Sequence, residues 1–187
     1  MGNVYSVKIL RKEEEKMNRI AKFHKVSWEQ FLGDYIDTFG KFSEDNIDVI
    51  RDIYDNIALP KRGTVGSAGY DISSPVPFTI MPNEVYKLPT GIRCSIDEGW
   101  VLKLYPRSSV GFKYQVGMVN TTPIIDSDYF YANNEGHIFI KLKNNGDKPF
   151  VASAGDRIVQ GIFVPYGITV DDDVENERRG GIGSTGV

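Results

Sequence analysis

LPTGIRCSIDEGWVLKLYPRSS, residues 88–109, holds two short β-type runs, Gly91–Ile96 and Trp100–Tyr105, on either side of the turn signal Asp97-Glu98-Gly99. The same grammar extends in both directions. Tyr86–Leu88, His137–Leu142 and Gly161–Val164 are further short runs, and Thr64–Gly69, Pro82-Asn83 and Asn144–Asp147 punctuate them. Residues 61–170 therefore predict an antiparallel β domain, a jelly roll or barrel. The 19 glycines and nine prolines of the 187-residue chain fit a turn-rich β protein better than a helical bundle.

Upstream the pattern differs. Val4–Leu10 predicts a strand, and Arg11–Asn18 is a dense mixed-charge stretch. Trp28, Phe31, Leu32, Tyr35, Ile36 and Phe39 form an apolar stripe at helical spacing. Ser27, with Gln30 three residues on, has the pattern of a capping box, and Gly40 is placed to stop the helix. Ile47, Ile50, Ile53, Tyr54 and Ile57 form a second helical pattern, opened by Ser43-Glu44-Asp45 and closed by Pro60. Downstream, Asp171–Arg179 turns from acidic to basic, and Gly180–Val187 is a Gly-rich arm suited to ordering over an anion. The expected organisation is thus a β domain from 1–10 and 58–170, a helical insertion at 11–57, and a linker with a flexible arm at 171–187.

Composition narrows the function. Hydrophobic residues make up 41% and charged residues 25%, an ordinary globular balance. No run of 18 apolar residues and no signal-peptide pattern is present, so no membrane partner and a cytoplasmic protein are expected. Gly2 and Ser6 match a myristoylation pattern only weakly. The single cysteine excludes an intramolecular disulfide framework and a multi-Cys zinc site. The formal net charge of −3 argues against nonspecific nucleic-acid binding, but leaves room for a small anion held by local cations.

Five short segments carry converging chemistry: GSAGYD at 66–71, PRSS at 106–109, IIDSDY at 124–129, GDRIVQ at 155–160 and GGIGSTG at 180–186. Each alone reads equally as a turn, a strand start or a solvated loop. Together they offer what a phosphoanhydride hydrolase needs. Arg107 with Ser108 and Ser109 combines a guanidinium fork with hydroxyl donors. Arg157, Gln160, Arg178 and Arg179 add cations and an amide. Asp71, Asp126 and Asp128 are hard oxygen donors suited to Mg²⁺ or its water shell, and one of them could activate a water.

In this order the five segments resemble the five motifs of the trimeric dUTPase family, the dUTP diphosphatases. The resemblance covers Val4–Leu10 and roughly residues 58–187. It implies a mainly β, jelly-roll homotrimer that hydrolyses dUTP to dUMP and diphosphate, with Mg²⁺ on the triphosphate. Asp126 would activate the water and hold the sugar 3′-hydroxyl. Tyr129 would form the floor under the deoxyribose, and Asn120 with the hairpin backbone to Ile125 would read uracil. Arg107, Ser108, Ser109 and Gln160 would hold phosphates, Asp71 would hold Mg²⁺ through water, and Arg178 or Arg179 would add a phosphate contact. Gly183, Ser184 and Thr185 of the arm would close over the ligand from a neighbouring subunit.

The chain departs from the family pattern in places. Ile182 stands where a stacking phenylalanine is usual, and Pro123 where a glycine is usual. The loop after Tyr129 is lengthened through Phe130–Glu135. The insertion 11–57 carries no residue matching the family's site, so it is expected to be dispensable for chemistry. It is either a helical hairpin packed on the domain or a surface for a protein partner. Two other functions compete: a dCTP deaminase of the same fold, and a nucleotide-sensing interaction protein. The deaminase would need a glutamate at the position of Lys141.

Overall fold

The computed structural model describes residues 17–40, 46–176, 178 and 180. The expected strand Val4–Leu10, the expected helix start at Ser43–Asp45 and most of the Gly-rich arm lie outside them. The described chain runs β1 (Ala21–Lys25), α1 (Trp28–Phe39), α2 (Ile47–Asp55), β2 (Lys61–Arg62), β3 (Tyr70–Ser73), β4 (Phe78–Ile80), β5 (Val85–Pro89), β6 (Ile92–Ile96) and β7 (Trp100–Pro106). It continues through α3 (Ser108–Tyr114), β8 (Val116–Met118), β9 (Ile124–Ile125), a 3₁₀ helix (Ser127–Tyr131), β10 (Phe139–Asn144), β11 (Phe150–Ala152) and β12 (Arg157–Pro165).

Every described strand pairing is antiparallel. The largest sheet has the order β2-β3-β12-β7-β9, and a second has the order β5-β10-β8. Alternation explains the strands. In β6, Ile92, Cys94 and Ile96 point inward while Arg93 and Ser95 are half-exposed. In β10, Ile140, Leu142 and Asn144 are buried between exposed lysines. Leu102, Leu104, Ile138, Ile140, Leu142 and Ile158 sit at the centre of the core. Cys94 is part of it, and burial pushes its thiol up to about 12, so it packs as a small apolar group. No helix of the described residues is long and apolar enough to cross a membrane.

The segment expected as purely helical contains β1, which pairs with β6 from Ala21↔Ile96 to Lys25↔Ile92. Only Phe23 of β1 is buried, and its lysines mask the two-residue period, so the strand exists through a long-range partner rather than through its own pattern. Both helices lie where their stripes predict, and they are part of the core: Phe31 is 0% exposed and Ile50 2%. Phe31 of α1 and Ile57, two residues past α2, pack on the β5–β6 turn at Gly91, whose φ is +70°. A Cβ there would overlap Ile57 Cδ1 and come within 3.2 Å of Phe31.

Candidate active site

Two clusters of charged side chains carry the predicted residues. The first gathers at the end of β7. Arg107 Nε lies 2.8 Å from Asp71 Oδ1, and Arg157 Nη1 lies 3.1 Å from Asp71 Oδ2. Asp71 thus aligns two guanidiniums with its own two oxygens. Gln160, opposite Tyr105 in the β12–β7 register, donates from Nε2 to Pro106 O at 3.4 Å. Gly69 makes room for it: a Cβ there would stand 2.6 Å from Gln160 Oε1. Ser108 and Ser109 are exposed at the start of α3. A groove of about 350 Å³ runs alongside, lined by Arg107, Ser109, Lys113 and Arg157 among others. Lys113 carried no motif signal. It joins the cluster because α3 brings it to the wall of the same groove as Arg107.

The second cluster follows β9. Asp126 precedes the 3₁₀ helix in extended conformation, and its carbonyl accepts from Tyr129 N at 3.2 Å. Arg178 bridges the two carboxylates, with Nη2 2.7 Å from Asp126 Oδ2 and Nε 2.8 Å from Asp128 Oδ1. Its guanidinium lies 5.8 Å from the Tyr129 ring centre. Burial pushes the Asp126 carboxyl above the usual carboxylate range, the Asp128 charge adds to this, and Arg178 offsets only part of it. Tyr129 is buried, and burial raises its phenol. Its hydroxyl donates to His137 O at 2.8 Å and accepts from Asn134 Nδ2 at 2.9 Å. Ile125 is buried opposite Leu102, and Asn120 is exposed in the turn that leads to β9. Arg178 thus reaches both carboxylates. Arg179, Gly183, Ser184 and Thr185 lie outside the described residues.

The two clusters do not meet within one chain. The β7–β9 register sets Ile125 against Leu102, which puts Asp126 level with Val101. Arg107 follows Pro106 at the opposite end of β7. Six residues of strand separate the two positions, about 20 Å at the usual rise.

No group of three or more His, Cys, Asp or Glu side chains able to hold a metal occurs among the described residues. Both oxygens of Asp71 are taken by guanidiniums. That donor set does not fit an all-protein Mg²⁺ cage, and an ion held here would need phosphate and water oxygens for most of its ligands. Lys141 is exposed on β10, with no acid at the place a deaminase would need one.

Comparison with known proteins agrees with the motif order. The family profile described as dUTPase matches residues 55–186. The deoxyuridine 5′-triphosphate nucleotidohydrolase of Lactococcus lactis subsp. lactis is 40% identical over 133 residues, 70% of this chain and 89% of that one. The enzyme of the same name from Nitrosospira multiformis is 40% identical over 136 residues, 68% of this chain and 88% of that one. Among solved structures, the dUTPase from Streptococcus mutans is 40% identical, with a TM-score of 0.55 over 59% of this chain and 88% of that one. The dUTPase from phage phi11 of S. aureus is 25% identical, with a TM-score of 0.55 over 65% of this chain and 92% of that one.

Proposed function

Because the chain belongs to the dUTPase family and hydrolyses dUTP to dUMP and diphosphate, we propose that it does so at sites each assembled from more than one copy of the chain. The observation that carries this reading is the strand length between Asp126 and Arg107. A nucleotide bound to both within one chain would have to stretch along the whole of β7. A neighbouring copy brings the carboxylate cluster of one chain to the phosphate cluster of another, and a closed homotrimer satisfies every site.

In such a site Arg107, Ser108, Ser109 and Gln160 hold the phosphates, and Arg157 shares the anchoring carboxylate of Asp71. Asn120 and the backbone to Ile125 read the uracil edge. Tyr129 underlies the deoxyribose and leaves no space for a 2′-hydroxyl. Mg²⁺ on the triphosphate, met by Asp71 through water, offsets phosphate charge. Asp126 accepts a proton from a water that adds to the α-phosphorus, and the bond to the bridging oxygen breaks to release diphosphate. The upward shift of the Asp126 pKa makes its carboxylate a better proton acceptor. Arg178 passes from the carboxylates to the incoming phosphates, and the Gly-rich arm, with Gly183, Ser184 and Thr185, closes over them.

Asp126→Asn tests the base. It keeps the shape and removes the basicity, so kcat should fall by roughly 10²–10⁴-fold with KM little changed. A near-normal kcat in Asp126→Asn beside an inactive Asp128→Asn would assign the base to Asp128 instead.

A further inference from the structure

The helical segment ahead of the family-matched residues is bonded to the loop that carries the sugar floor. Asp34 of α1 stands 2.5 Å from His137 Nδ1, across 103 positions of sequence. The Gly91 N–H donates to His137 Nε2 at 2.7 Å, so Nε2 is the acceptor and Nδ1 carries the proton toward Asp34. His137 is 0% exposed, and its carbonyl receives the Tyr129 hydroxyl at 2.8 Å. A second tie runs in parallel. The Ser27 N–H and hydroxyl donate to Glu135 at 2.8 and 2.6 Å, and Arg93 contacts both Glu135 and the Phe130 carbonyl. The lengthened loop from Phe130 to Glu135 is therefore held at both ends by residues that lie before the family-matched segment or beside β1.

We propose that α1 is a positioning element of the active site: Asp34, acting through His137, and Ser27, acting through Glu135, fix the height of the Tyr129 ring and thereby set discrimination between 2′-deoxyribose and ribose. This rests on the reading of Tyr129 as the sugar floor. Discrimination by a floor is a matter of tenths of an ångström, and a ring free to sink admits the extra hydroxyl. Phenol hydrogen bonds at the far end of the ring, to His137 O and from Asn134, hold it only as firmly as residue 137 is itself held.

The test compares kcat/KM for dUTP and UTP in the full-length protein. Asp34→Ala should lower the dUTP-over-UTP ratio about ten-fold. Asp34→Asn keeps an acceptor oxygen for His137 and should restore most of the ratio. Phe39→Leu loosens the far end of α1, where the ring packs on Tyr35 and Tyr86 rather than on a residue of either tie, and should lower Tm while leaving the ratio in place. An unchanged ratio in Asp34→Ala, with Tyr129→Leu losing selectivity, would overturn the positioning role and leave the sugar floor standing. An unchanged ratio in Tyr129→Leu would remove the floor and the proposal together. Should Asp34→Ala fail to fold, Glu135→Gln carries the same test on the second tie: a lowered ratio supports the proposal and an unchanged one overturns it.

Discussion

At the scale of single residues, the electrostatics around Asp126 make a directional prediction. Burial raises its pKa and Asp128 raises it further, while Arg178 acts against both. A carboxylate base fails once protonated, so the acid limb of kcat/KM should sit above the ordinary carboxylate range. Removing a like charge eases ionisation. Asp128→Asn should therefore move that limb to lower pH, as read from a pH–rate profile, and a limb that stays in place would mean the titrating group is not Asp126. The catalytic candidates were legible in the sequence because hard oxygens and guanidiniums are few and stood in ordered motifs. Their pairings were not. That Arg178 reaches Asp126 depends on how the chain returns across 52 positions, and no local pattern encodes it. The Ser27–Gln30 capping box was legible only in half. Ser27 Oγ accepts from Gln30 N, but the Gln30 amide turns to Asp34, and Glu135 takes the Ser27 N–H in its place.

At the scale of elements, the helices change the expectation drawn from their lack of motif residues. Phe31, Tyr35, Ile50 and Ile57 belong to the same buried cluster as the strands, and Phe31 rings with Tyr54 at 5.5 Å. Replacing residues 12–56 by a Gly/Ser linker would strip this packing from the β5–β6 turn and delete β1. Such a protein should lose most of its thermal stability, seen as a collapse in Tm, rather than keep a sound fold and full turnover. Phe31→Ala alone should cost about 3–5 kcal/mol, measurable by denaturant unfolding. The apolar stripes announced both helices because a helix writes its buried face into its own period. β1 escaped notice because a single buried Phe23 between lysines has no period, and its stability comes from β6, some 70 positions away.

At the scale of the whole molecule, the proposed trimer and the arm are tested together. Light scattering at micromolar concentration should return three chains, and deleting 180–187 should preserve that mass while lowering turnover strongly. A monomer, or an undiminished truncation, would count against shared sites. The architecture of the β domain was readable because antiparallel strands and their turns are local. The gap between the two clusters was not, since it depends on which end of β7 meets β9. That gap has a genetic consequence. A chain with Asp126→Asn still owns a sound phosphate cradle, and a chain with Arg107→Ala still owns a sound base. Each alone should be strongly impaired. Unfolded together and reassembled in equal amounts, the two should complement one another, with about a quarter of the sites receiving both intact halves.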